Sequence, residues 1–194
     1  MTDKVFLDVQ IGTGGPPQRI ELGLFGTIAP KAVQNFVALC ACNKGIGKVT
    51  GAPLCYKGSL FHRVVTDFGI QGGDFSHRDG TGGESIFSTR FFEDESFEVQ
   101  FNRPYLLSMA NTGTRDTNGS QFFINTGLTM WLDNKNVIFG SVLDGEKVID
   151  SIMKQSTYGG KPKVKITIVD CGVLPLQNTD LKMIPVPVKS SLQL

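Results

Sequence analysis

The sequence predicts a mainly β domain, a closed or nearly closed barrel of eight strands accompanied by two α-helices. Eight short runs carry strand character, and only two segments repeat with a helical period. Glycine is 23 of 194 residues, about 12% against a usual value near 7%, without a three-residue period, so turns and closely approaching backbones are frequent. A barrel of eight short strands hides its own edges.

Each element has its own signal. Val5, Leu7 and Val9 alternate with Phe6, Asp8 and Gln10, a period of two that predicts a strand, and residues 20–25 predict its return after the turn at 12–17. Over 30–40 the period changes. Val33, Phe36, Val37 and Cys40 fall at i, i+3, i+4 and i+7 behind Pro30, a residue suited to a first helical turn. Residues 44–57 contain Gly45, Gly47, Gly51 and Pro53 and hold no period, which predicts a long surface loop. Strand-like runs recur at 59–65, 68–71, 106–110, 121–125, 137–142 and 165–171. The second helix is predicted over 145–154, with Val148, Ile149, Ile152 and Met153 as its apolar stripe. Beyond Gly172 the pattern dissolves into prolines and polar residues. The expectation is one domain over 1–175 and an irregular tail over 176–194.

Lys plus Arg is 19 and Asp plus Glu is 18, a net charge of +1. That balance argues against a nucleic-acid backbone or an acidic membrane surface as the main partner and leaves room for a small local patch. No apolar run approaches the roughly 20 residues that span a bilayer. The N-terminus offers no basic stretch followed by an apolar core, so a cytoplasmic location is expected. Four cysteines, at positions 40, 42, 55 and 171, are too few and too uneven for a disulfide framework and read as thiols of a reducing compartment.

Metal and nucleotide chemistry find no support in the spacing. The two histidines, His62 and His77, have no cysteine pair or carboxylate at a ligand spacing, and Cys40 and Cys42 lack a second pair. Residues 80–83, Gly-Thr-Gly-Gly, open no helix and read as a tight turn. No Gly-x-Ser-x-Gly elbow is present. The informative stretch is Phe61-His62-Arg63-Val64-Val65, followed by Phe68-Gly69-Ile70-Gln71-Gly72-Gly73-Asp74-Phe75. Alternation puts His62 and Arg63 on opposite faces, so an Arg63 on an outer groove sends His62 into the barrel as a structural residue. A lone arginine is ordinarily a solvated surface residue. Here Phe68 and Gln71 follow it, Met109-Ala110-Asn111 and Gln121-Phe122-Phe123 repeat the mixture of aromatic, amide and small residues, and Trp131-Leu132 adds a third group.

The runs FHRVV, QGGDF, GTGGES, LSMAN, TNGSQFFI and WLD, in unbroken order over residues 4–173, resemble those of the cyclophilins, peptidyl-prolyl cis-trans isomerases. The resemblance implies a closed eight-stranded antiparallel barrel capped by two α-helices. It implies isomerase activity towards proline-containing peptides and client proteins, with a non-catalytic proline-peptide scaffold as the alternative. Carried over position by position, it makes Arg63 the catalytic group and Phe68, Phe123 and Leu132 the walls of a proline pocket. It sets Gln71, Ala110, Asn111, Gln121 and Trp131 along a peptide groove. Asn136 stands where many members carry a pocket histidine, and Gly69 where many carry a methionine, which implies a widened pocket. The resemblance implies no metal and no organic cofactor, a monomer, and a groove able to take cyclosporin-type ligands beside Trp131. The segment 47–54 is similar to the extra loop of the divergent-loop cyclophilins. Glu84 matches that subset's loop anchor, and Cys40 and Cys171 match its thiol pair, to be weighed against two small buried hydrophobes.

Overall fold

A computed structural model describes residues 1–87, 89–178 and 180. Eight strands form one antiparallel sheet: β1 (Asp3–Ile11), β2 (Gln18–Leu24), β3 (Arg63–Val65), β4 (Gly69–Gly72), β5 (Leu106–Met109), β6 (Phe122–Asn125), β7 (Ile138–Asp144) and β8 (Ile166–Leu174). Their order in space is β3-β4-β6-β5-β7-β2-β1-β8. Two helices pack on it, α1 (Pro30–Ala41) and α2 (Glu146–Met153), and a short 3₁₀ turn covers Met130–Leu132.

The sheet curls but stays open, which corrects the expectation of a closed barrel. Among the described residues its ends, β3 and β8, are linked through residues 58–61. Leu60 forms single bridges to both Asp74 and Thr167, and Phe61 N–H donates to the Ile166 carbonyl at 3.0 Å. Both bridges are isolated, and neither grows into a ladder. The strand expected over 59–65 therefore shrinks to Arg63–Val65.

The core follows from the alternation. Val5, Leu7 and Val9 of β1 are buried while their neighbours are not. Inside the curl, Phe36 of α1 packs against Tyr56, Phe122 and Phe139 at ring distances of 5.1 to 5.2 Å. Each buried ring of this size removes on the order of 2 to 3 kcal/mol of apolar surface from water. β5 and β6 are buried on both faces. Phe122 and Ile124 face the main core, while Leu106 and Phe123 join Phe25, Val99, Phe101 and Ile138 in a second cluster. That second cluster floors the groove described below.

α1 starts at Pro30 without a side-chain cap of its own. Its free amides are met from a distance: Lys31 and Ala32 N–H donate to the Glu95 carboxylate at 2.7 and 2.8 Å, a carboxylate well placed against the helix dipole. α2 follows Gly145, whose φ of 100° belongs to glycine, and buries Val148, Ile149 and Ile152.

The segment 44–57 is no open loop. It doubles back through an Ile46–Pro53 bridge and through bonds from Gly47 N–H to the Ala52 carbonyl and from Leu54 N–H to the Gly45 carbonyl, both 2.8 Å. The fold-back carries Cys55 to the end of α1, where it forms a disulfide with Cys42 across a Cα separation of 4.5 Å. This corrects the reading of four thiols. Only Cys40, buried, and Cys171, half-buried, are free.

Among the described residues no helix is long and apolar enough to cross a membrane. The tail expected over 176–194 lies outside the described residues from 181 onwards.

Candidate active site

Register builds the site. Arg63 pairs with Gln71 across β3 and β4, and Gln71 pairs with Phe123 across β4 and β6. Residues directly opposite one another share a face, so these three side chains stand in a row on the outside of the sheet. Arg63 Nη1 donates to Gln71 Oε1 at 3.2 Å, and its guanidinium lies 4.7 Å from the centre of the Phe68 ring. Gln71 Nε2 passes the chain to Gln121 Oε1 at 3.1 Å. Gln121 Nε2 ends it on the carbonyls of Gly80 and Gly82, at 2.8 and 3.0 Å.

The turn that receives this chain is organised by Asp74. The buried carboxylate accepts the amides of Ser76, His77, Asp79, Gly80 and Gly82. Burial alone would push its pKa up. The backbone amides of His77, Gly82, Gly80 and Arg78 outweigh it and hold the carboxyl far below the usual carboxylate range.

Apolar walls stand beside the arginine. Phe68 and Phe123 pack at 4.9 Å, Phe123 stacks on Phe101 at 5.8 Å, and Leu132 comes in from the 3₁₀ turn. Trp131, next to it, is 55% exposed and offers an unburied indole face at the rim. The groove has a volume of about 570 Å³ and gathers Arg63, Phe68, Gln71, Ala110, Asn111, Phe123, Trp131, Leu132 and Asn136. Gln121 lines an adjoining cavity of about 160 Å³ that shares Gln71, Ala110 and Asn111 with the groove.

Two amides brace the rim. Asn111 Nδ2 donates to the Lys135 carbonyl at 2.8 Å, and Asn136 Nδ2 donates to the Met109 carbonyl at 3.1 Å. The main-chain amide and carbonyl of Asn111 make no hydrogen bond to another described residue and are free for an extended peptide.

Two expectations change. Gly69 does not widen the pocket: its φ is 148°, and an added Cβ would sit 2.0 Å from the Ile124 carbonyl oxygen. The position is glycine because β6 passes too close for a side chain. His62 does not enter the core, since residues 61–62 precede the strand and break the alternation. Phe61 and Val64 are the buried members. His62 instead lines a cavity beside Arg63, where burial lowers its pKa. Cys40 and Cys171 are both free thiols, and the Cys42 sulfur lies 4.0 Å from that of Cys171. The sulfurs of Cys42, Cys55 and Cys171 lie within 4.8 Å of one another, two of them already bonded.

Glu84 sits at the base of the 44–57 segment. Its carboxylate accepts Val49 N–H at 3.1 Å, Thr50 N–H at 2.8 Å and Thr50 Oγ1–H at 2.6 Å. A Cβ on Gly47 would strike the same carboxylate, so that loop residue is glycine for room. Sequence reasoning missed Asp74 as the organiser of the turn. Its signal was present, an aspartate followed within eight residues by Gly80 and Gly82, the pattern of an acceptor meeting unshielded amides.

An apolar groove with one side-chain cation fixed over an aromatic ring, and with main-chain groups left free on its rim, has the shape and chemistry to take a peptide that presents a compact apolar ring beside a charged donor. The family model described as "Cyclophilin type peptidyl-prolyl cis-trans isomerase/CLD" matches residues 6–173. The chain belongs to that family and is a peptidyl-prolyl cis-trans isomerase.

Proposed function

We propose that the chain isomerises Xaa-Pro bonds in peptides and client proteins, assisting folding or conformational switching, with Arg63 as the catalytic group. The observation that carries this reading is the fixing of Arg63 between Gln71 and the Phe68 ring, beside walls that fit a pyrrolidine.

The chemistry demands little else. Rotation about the bond costs about 18 to 20 kcal/mol because it breaks amide resonance. Turnover at about 10³ per second needs roughly 7 kcal/mol of that removed. In the twisted transition state the prolyl nitrogen regains a lone pair and accepts a hydrogen bond that the planar ground state refuses. A guanidinium aimed at it acts on the transition state alone, for about 2 to 4 kcal/mol. Holding the ring against Phe68, Phe123 and Leu132, with the flanking peptide on Asn111 and Gln71, supplies orientation for the remainder. No proton moves, so Asn136 in place of a histidine leaves the reaction intact.

The same reading includes a groove able to take cyclosporin-type cyclic peptides beside Trp131, a monomer, and a cytoplasmic setting. It includes membership of the divergent-loop subset, supported by the Glu84 contacts with residues 49 and 50. The scaffold alternative differs at one point: it makes Arg63 dispensable. Exchange spectroscopy on an Ala-Pro peptide tests this. Arg63→Ala should slow turnover about 10²- to 10³-fold, and Arg63→Lys should also be poor, because a point charge replaces a planar fork. Retention of more than about half the rate overturns the assignment, since a lost transition-state donor costs far more.

A further inference from the structure

A second cavity opens on the other side of Arg63 and Gln71. Its volume is about 730 Å³, larger than the groove, and it shares those two residues with it. Its other walls come from residues 60–62, the 78–80 turn and residues 159–166 leading into β8. Five cationic side chains line it, Arg63, Arg78, Lys161, Lys163 and Lys165, with one carboxylate, Asp79. One oxygen of that carboxylate is engaged, Asp79 Oδ1 accepting Thr81 N–H at 2.9 Å and Thr81 Oγ1–H at 2.7 Å, and its single charge leaves the lining with a cationic excess.

None of the five cations makes an ion pair among the described residues, whereas Lys4, Arg19, Lys31 and Lys57 each do. In a chain whose net charge is +1, this is a concentrated local field. Like charges around one concavity repel one another, and the low-dielectric walls focus their potential into it. The walls also leave space. A Cβ on Gly159 would meet nothing within 4 Å.

We infer that this cavity is a subsite for an anionic side chain, a phosphoserine or phosphothreonine or a glutamate, on the same client segment that places its proline in the groove. The inference rests on the reading of the groove as the Xaa-Pro site. The continuity of the two cavities through Arg63 and Gln71 argues for a side chain of the bound peptide, because a chain leaving the proline pocket on this side passes the cations. Arg63 stays with the proline, tied by Gln71 and Phe68, while Arg78 and Lys161 supply donors to the anion, and Lys163, whose Nζ donates to the Lys154 carbonyl at 3.1 Å, adds its charge. Charge-assisted bonds of this kind are about twice as strong as neutral ones, and a dianionic phosphate offers more acceptors than a carboxylate. The subsite chooses among prolines and leaves the rotation chemistry unchanged.

The test is a set of Ala-Pro peptides carrying serine, glutamate or phosphoserine at each flanking position in turn, with binding measured by calorimetry and turnover by exchange spectroscopy. At one flank, affinity should rise from serine to glutamate to phosphoserine, by about tenfold at the top, and the gain should shrink as added salt screens the cations. The charge-reversed double variant Arg78→Glu with Lys161→Glu should lose that gain and keep the turnover of the serine peptide. A flat series, or a variant that weakens serine and phosphoserine peptides alike, overturns the subsite. Inorganic phosphate that binds as tightly as the phosphopeptide overturns the client reading, and so does a single-stranded RNA that displaces the phosphopeptide more readily than unlabelled phosphopeptide does. Normal turnover of the serine peptide in any of these cases leaves the isomerase reading standing and separates the two failures.

Discussion

Asp74 and Glu84 are both buried carboxylates, and each shapes a loop by accepting backbone amides, yet they are wired differently. Asp74 takes amides two to eight residues ahead of it. Glu84 takes amides 34 and 35 residues away. For each, burial pushes the pKa up and the donors outweigh it, so both lie below the usual carboxylate range, Asp74 by much the larger shift. The Asp74 turn presents the Gly80 and Gly82 carbonyls that end the Arg63-Gln71-Gln121 chain. The Glu84 loop reaches the groove through the main chain that continues from Gly82 and Gly83 and, at its far end, through Tyr56, whose hydroxyl donates to the Ser120 carbonyl beside Gln121 at 2.6 Å. The lesson is that local wiring supports the Arg63-Gln71-Gln121 row directly, and distant wiring supports a loop whose ends are already tied by Cys42 and Cys55.

The largest expected effect follows from Asp74. Asp74→Asn turns an acceptor into a group that presents its own N–H donors to backbone N–H donors. The variant should lose on the order of 3 kcal/mol, the scale of buried amides left without a charged acceptor. Its Tm should fall by about 6 to 12 °C, at roughly 2 to 4 °C per kcal/mol for a chain of this size. Turnover should fall about tenfold, one tenfold step being 1.4 kcal/mol of lost positioning. Calorimetry and exchange spectroscopy read both, and an unchanged melting curve would remove Asp74 from its place in the comparison.

Glu84→Gln should cost less, about 1 to 2 kcal/mol, because its amide keeps one acceptor oxygen for Thr50 and the NH2 that replaces the other meets a single amide, Val49 N–H. Turnover should stay within about twofold, because no kcal/mol-scale contact of the groove is touched. Amide exchange at Val49 and Thr50 should speed up, and more so after reduction of the Cys42–Cys55 bond, which closes a loop with a sequence separation of 13. A loss of turnover equal to that of Asp74→Asn would show that the two loops act as one unit and break the contrast.

Legibility in the sequence follows the same division. The strands of β1 and β2, both helices and the second β-rich half were readable because their signals are periodic over neighbouring residues. The groove was readable because short motifs each carry one or two of its positions, and register brings them into one row. What stayed hidden depends on approaches between distant backbones. Leu60 makes only isolated bridges where a closed barrel would need ladders, Gly69 is pressed by β6, His62 lies just outside the strand whose alternation was meant to orient it, and Cys55 meets Cys42 only because residues 45–54 fold back. None of these leaves a periodic mark.

The smallest effect is the most discriminating. A carboxyl whose folded pKa lies below its unfolded value contributes stability that is fully present above the unfolded value and is lost as pH falls through the folded one. Glu84 starts from a usual value of 4.5 and is lowered by a shift smaller than that of Asp74, which starts from 3.8. On acidification the Glu84 contribution therefore begins to fade first, below about pH 4.5, and ends first, while Asp74 still holds its turn at pH values that have already protonated Glu84. Amide exchange, corrected for its intrinsic pH dependence, should show Val49 and Thr50 losing protection at a higher pH than Gly80 and Gly82. If all four amides lose protection together, the two carboxylates report one cooperative opening, and the separation between a turn that carries the Arg63-Gln71-Gln121 row and a loop that does not is gone.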